Sequence, residues 1–171
     1  MVTVIIGAQW GDEGKGKIID LLAQKMNHVV RFHGGPNAGH TIVNEYGRFP
    51  LHLVPSGIFN SKCVCSISSG VVVDLEVLKG EIEMISKIFP NLQTRLFISP
   101  RVHVIMPYHK ILDAVAEEAK GKGKTGTTGR GIGPVYADKA AYLGVRIGDF
   151  LRPEILKNKI DVNLRLKNPQ F

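Results

Sequence analysis

The apolar run Val2-Thr3-Val4-Ile5-Ile6 is followed almost at once by Gly11-Asp12-Glu13-Gly14-Lys15-Gly16-Lys17. Residues 2–6 read as a strand buried on both faces of a parallel sheet. Residues 7–14 read as a loop. Ile18, Ile19, Leu22 and Met26 then fall at helical spacing, which predicts a helix over 15–26. Strand, glycine loop and helix in that order aim a helix N-terminus at phosphate. Gly11, Gly16 and Lys17 satisfy most of a P-loop pattern, but Ile18 stands where a metal-binding hydroxyl is expected. Asp12, inside the loop, would repel a triphosphate unless it binds the metal, acts as a base, or does both.

The rest of the chain alternates strands and helices. Strands are predicted at 29–33, 41–44, 48–54, 63–67, 71–73, 95–99 and 102–106, with a hairpin at Tyr46-Gly47. Asp74 is a good N-cap for a helix reaching about residue 89, and Pro107 opens another to residue 120. Residues 121–133 read as a loop, 136–143 as a short helix, and Pro153 opens a helix to about 161. The expected class is α/β: a mostly parallel sheet with flanking helices, a P-loop-like architecture. Asn168-Pro169-Gln170-Phe171 closes no clear element, so residues 1–171 are expected to form one portion of a larger single domain.

Charge narrows the partners. The net charge is +7, and the stretch from Arg152 to Phe171 holds five basic and two acidic residues. Aromatics are 7% of the chain and do not interleave with basic residues, which favours small phosphorylated ligands over nucleic acid. No apolar run reaches the length of a membrane span, and the N-terminus lacks a signal-peptide pattern, so a cytoplasmic location is expected. Cys63 and Cys65 share one strand face and read as reduced structural thiols.

Two further glycine loops carry chemistry. Gly34-Gly35-Pro36-Asn37-Ala38-Gly39-His40-Thr41 places His40 among glycines and a threonine, outside any apolar pattern. A histidine there suits a contact with phosphate, or stabilisation of charge on a transferred phosphoryl group. Thr125-Gly126-Thr127-Thr128-Gly129-Arg130-Gly131-Ile132-Gly133-Pro134 offers hydroxyls and an arginine suited to a phosphate monoester. Three such loops suggest two phosphorylated ligands. His28, His52, His103 and His109 fit no metal spacing and receive no role.

These three motifs, in this order and with Tyr136, Asp138 and Lys139 after the third, resemble the adenylosuccinate synthetase family. The resemblance implies a ligase of purine biosynthesis that uses GTP and Mg2+ to join L-aspartate to IMP through 6-phosphoryl-IMP, working as a homodimer. It implies that Asp12 takes the N1 proton of IMP and that His40 acts as acid. Magnesium would sit on Asp12 and the Gly39 carbonyl. GTP would be lined by Gly11, Asp12, Glu13, Gly14, Lys15, Gly16, Lys17, Gly39, His40 and Thr41. IMP would be lined by Asp12, Glu13, Gly14, Lys15, Asn37, Ala38, Gly39, His40 and Thr128.

Two departures are visible. Tyr142 stands where the family generally carries an arginine that reaches the partner's IMP, and a phenol cannot supply that charge; either Arg146, four residues on, compensates, or IMP binding across the dimer is weakened. The family's guanine-reading and aspartate-binding segments are expected beyond residue 171, so weak or absent turnover is expected of this chain alone. A non-catalytic nucleotide-binding role for the same loops is the alternative. Another P-loop phosphotransferase is disfavoured by Ile18 and Asp12.

Overall fold

The computed structural model describes residues 2–9, 13–37, 39–123 and 125–168. Its helices are α1 (Lys15–Ala23), α2 (Leu75–Ser86), α3 (Pro107–Ala119), α4 (Ile132–Ala140) and α5 (Pro153–Lys167). Its strands are β1 (His28–Arg31), β2 (His40–Asn44), β3 (Gly47–Leu51), β4 (Val64–Ile67), β5 (Val72–Val73), β6 (Leu96–Ile98) and β7 (His103–Val104).

The strands form three small sheets. β1, β4 and β6 lie parallel in that order, with Val29 opposite Cys65 and Cys65 opposite Leu96. β2 and β3 make the antiparallel hairpin, His40 opposite Leu51. β5 and β7 pair in parallel. The α/β class with parallel pairing is therefore as expected. The main core joins Cys65 and Ile67 of β4 to Leu78 and Ile85 of α2, and to Leu51, Leu53 and Ile58 beyond the hairpin. Both cysteines are buried and free, and burial pushes both thiols above their ordinary value, which makes them unreactive.

The sequence expectations fail at several places. Residues 2–6 form no strand; Val2, Val4 and Ile6 are 89%, 67% and 71% exposed. A strand buried on both faces needs neighbours at its edges, and among the described residues none pairs with it. The strand expected over 48–54 stops at Leu51 because the next three backbone N–H groups turn to a side chain, Glu81. A 3-10 turn at Ser56–Phe59 follows. α4 starts at Ile132, four residues before its predicted start, with Pro134 tolerated in its first turn. α5 runs on to Lys167 because Asn163 and Lys167 find buried polar partners. The buried face of α3 is Tyr108, His109 and Asp113, while the apolar Ile111 and Val115 are exposed.

α4 ends on a hydrogen-bonding pattern that favours glycine. Leu143 N donates to Asp138 O at 2.8 Å and Tyr142 N to Lys139 O at 3.4 Å, closing a Schellman motif. The residue in its left-handed position is Tyr142, with φ 62°. A side chain there strains against its own backbone. Tyr142 is 93% exposed, so Tyr142→Gly loses little packing and is expected to stabilise the fold by about 1 kcal/mol, measured by urea unfolding. A destabilised variant would show that the ring makes contacts worth more than the strain.

Candidate functional site

The first glycine loop meets the second at one point. Gly14, with φ 77° and ψ 21°, turns the chain into α1 and has no side chain with which to cap it. Lys17 N already donates to Gly14 O at 3.0 Å, so an external acceptor would meet the amides ahead of it. Two residues on, Gly16 is buried against His40: a Cβ on Gly16 would stand 2.6 Å from the ring carbons and 2.7 Å from the His40 Cβ. His40 therefore lies across the first turn of α1 only because residue 16 has no side chain. Gly16→Ala is expected to push the ring aside and break its contact with Ser56, costing about 1–3 kcal/mol despite the better helix propensity of alanine. An unchanged His40 imidazole resonance would refute this.

The position of His40 has two supports. As the first residue of β2 it is held by the hairpin ladder, and its Nε2 lies 3.0 Å from the Ser56 hydroxyl. Burial, then Arg31 and His52, lowers its pKa to about 4. His40 is thus neutral near pH 7. It acts as a hydrogen-bonding group rather than a standing cation until an anion arrives beside it.

Arginines tie the second loop to the third. Arg31, at the end of β1, donates to the His52 carbonyl and, at 2.8 Å, to Gly35 O. Arg130 of the third loop donates to the Pro36 carbonyl, and its Nη1 lies 3.4 Å from His52 Nδ1. The His52 ring in turn covers the side of Gly39 where a Cβ would stand. Below, the buried carboxylate of Glu81 accepts the N–H groups of His52, Leu53 and Val54 at 2.5, 3.1 and 2.8 Å. The Tyr136 hydroxyl donates to Gly70 O at 2.8 Å and accepts from Gly34 N at 3.1 Å, pinning the start of the second loop to α4.

Of the residues expected at the site, Gly14, Lys15, Gly16, Gly39, His40 and Thr41 lie around the first turn of α1 and the start of β2. Glu13 pairs with Lys15, and Lys17 is exposed on the first turn. Asn37 is exposed in the second loop, and Thr128 is exposed in the third, where Arg130 makes the bridging contacts. Gly11, Asp12 and Ala38 lie outside the described residues. Among the described residues no three His, Cys, Asp or Glu side chains cluster as a metal site. Arg31, His52, Ser56 and Glu81 carried no sequence signal: each reaches the site through contacts between distant segments. His52 in particular was given no role, yet it joins Arg31, Arg130 and Gly39.

An α/β fold with a glycine-led helix N-terminus under a histidine has the arrangement that suits anions at helix ends. The chain belongs to the adenylosuccinate synthetase family, whose model matches residues 4–171. It is 53% identical over 169 residues to the adenylosuccinate synthetase of Pelodictyon phaeoclathratiforme, covering 99% of this chain and 39% of that one. With the Dehalococcoides mccartyi enzyme it shares 49% identity over 168 residues, 98% of this chain and 39% of the relative. The fully ligated adenylosuccinate synthetase of Plasmodium falciparum superposes with a TM-score of 0.85 at 39% identity, covering 96% of this chain and 40% of that one. The chain thus spans about two fifths of the length of the relatives it matches. No helix among the described residues is long and apolar enough to cross a membrane.

Proposed function

We propose that this chain carries the phosphate-handling site of a GTP-dependent ligase that joins L-aspartate to IMP. The observation that carries the reading is the seating of His40 on Gly16 at the glycine-led N-terminus of α1, beside a second glycine loop that Arg130 ties to the third. In this reading residues 11–17 and 39–41 line the GTP phosphates. Residues 12–15, 37–40 and Thr128 line IMP. The Asp12 carboxylate removes the N1 proton of IMP, and O6 attacks the γ-phosphorus with GDP as leaving group. The amine of aspartate then attacks C6, the C6–O6 bond breaks, and O6 leaves with its phosphoryl group as inorganic phosphate. His40, neutral at rest, donates a hydrogen bond to the oxygen on which charge grows.

Magnesium prefers hard oxygen donors, and a carboxylate at Asp12 with the carbonyl of Gly39, an exposed residue, would suit it. Bound there, it would neutralise phosphate charge. A cytoplasmic homodimer, and residues 1–171 as one portion of a single domain, belong to the same proposal. Tyr142 then leaves the partner's IMP without the arginine the family generally supplies.

The test is formation of adenylosuccinate from GTP, IMP and L-aspartate. Weak or absent turnover is expected from this chain, with His40→Asn abolishing any that is measured while GTP binding persists. GTP binding with no product in the unaltered chain would favour a purely nucleotide-binding role. Absence of both GTP and IMP binding would overturn the proposal.

A further inference from the structure

Ser56 opens the 3-10 turn at Ser56–Phe59, directly after Pro55, and is only 2% exposed. Three features hold it in place. Glu81 accepts the N–H groups of the residues just ahead, His52, Leu53 and Val54. Ile58 N donates back to Pro55 O at 3.1 Å and closes the turn. Gly57 packs so closely that a Cβ there would stand 2.6 Å from Val29 Cγ2 and 3.2 Å from Ala23 Cβ. The turn is thus wedged between β1 and the end of α1, and the Ser56 side chain is fixed with it.

Ser56 Oγ lies 3.0 Å from His40 Nε2 and has no other hydrogen-bond partner among the described residues. Such a contact can be made in two ways. A neutral imidazole carries its proton on Nδ1 or on Nε2, and a hydroxyl both donates and accepts. With the proton on Nε2, the ring donates to Oγ, and the Ser56 hydroxyl proton is buried without an acceptor. With the proton on Nδ1, the Ser56 O–H donates to the bare Nε2 and no buried donor is left over. The first arrangement is the costlier one, because a stranded buried donor loses its water and gains nothing. The ring is neutral in both, since burial, and then Arg31 and His52, hold its pKa at about 4. The ring atoms nearest to Gly16 are Cδ2 and Cγ, so Nδ1 lies on the other edge of the ring.

We propose that Ser56 is a positioning residue for His40. Its hydroxyl donates to Nε2 and holds the ring as the Nδ1–H tautomer, so that Nδ1–H is the donor offered to a phosphoryl oxygen. Ser56 itself touches no ligand; it acts through the ring. The phosphoryl group as acceptor rests on the ligase reading. The tautomer does not, and it is read in the chain without ligand.

The experiment is a long-range proton–nitrogen correlation spectrum of the chain with isotope-labelled histidine, at neutral pH. The His40 signals are assigned by their loss in His40→Asn. They should show a protonated Nδ1 and a bare Nε2. Ser56→Ala should shift the tautomer ratio at least about fivefold towards Nε2–H, the factor that one neutral hydrogen bond of ordinary strength supplies. Ser56→Thr keeps the hydroxyl and should keep the tautomer. Unfolding midpoints of both variants separate this from packing: a merely structural serine would lower the midpoint in Ser56→Ala and leave the ratio alone. A protonated Nε2 in the unaltered chain would overturn the proposal, and that result needs no variant to fold. An unchanged ratio in Ser56→Ala would overturn it too. The ligase reading is decided separately, by GTP and IMP binding, so the two can fail independently.

Discussion

Glu81→Ala is expected to destabilise the protein by about 3–5 kcal/mol, a large share of the ~5–15 kcal/mol that holds a domain of this size. The carboxylate is 4% exposed and accepts N–H groups from three successive residues, His52, Leu53 and Val54. Removing it orphans those donors in a segment whose Leu53 and Val54 are fully buried. Each unsatisfied donor costs on the order of 1–3 kcal/mol, less where water can reach it. Glu81→Gln keeps one acceptor oxygen and should cost about half as much. Urea unfolding followed by circular dichroism measures both. A loss below about 1 kcal/mol in Glu81→Ala would mean that the three amides find other partners. The effect should also reach the site: without Glu81 the His52 backbone loses its anchor, and with it the contacts of Arg31 and Arg130. The His52 and His40 resonances should therefore broaden together in Glu81→Ala.

Asp138→Ala should cost about as much, about 3–5 kcal/mol, because it leaves charge and a donor buried without a partner. Asp138 Oδ1 receives Lys167 Nζ at 2.9 Å, and Oδ2 receives His109 Nε2 at 2.8 Å. The Lys167 and His109 side chains are 6% and 0% exposed. Met106 N donates to His109 Nδ1 at 2.9 Å, which leaves Nε2 to carry the proton that Asp138 accepts. The second variant is Asp138→Ala with Lys167→Met. It removes the stranded ammonium and should recover more than about 1 kcal/mol of the loss, a coupling readable in a double-mutant cycle. Strict additivity would show that the pair is not coupled. The last turn of α5 should lose hydrogen-exchange protection in the single variant, since Lys167 bonds Asn163 Oδ1 at 2.8 Å as well.

Acid sensitivity follows from the same groups with a definite sign. Burial raises the Asp138 pKa, but the bonds from His109 and Lys167 outweigh it and hold the carboxyl below its ordinary 3.8. A depressed carboxyl stabilises the fold above 3.8, and this is lost as pH falls through its folded value. His40 and His103 act at higher pH. Their pKa values fall from 6.5 to about 4, so the unfolded chain binds protons that the folded chain refuses. Stability should therefore decline from about pH 6.5 towards pH 4, and His103→Asn should flatten that slope.

Helix starts and glycine turns were legible wherever the cause is local. Asp74 accepts from Glu76 N at 3.0 Å, as an N-cap should, and Pro107 opens α3 in the first turn. The sheet's strands could be found from apolar runs, since burial of Cys65, Ile67 and Val72 needs only a pleat and neighbours. Residues 2–6 show where that reasoning fails: an apolar run states a need for neighbours and cannot say whether they are there.

The residue types of the three glycine loops, and their order, are properties of the chain itself, and so is the family likeness they carry. A loop that must approach phosphate has to dispense with side chains, and that requirement is written position by position. Tertiary structure alone decided that Gly16 serves to seat His40, that His52 links two arginines to Gly39, and that Glu81 ends a strand from 29 residues away. It also decided that Ser56 meets the Nε2 of His40. Those roles depend on hydrogen bonds and close contacts between distant segments, whose partners leave no periodic trace in the sequence around them.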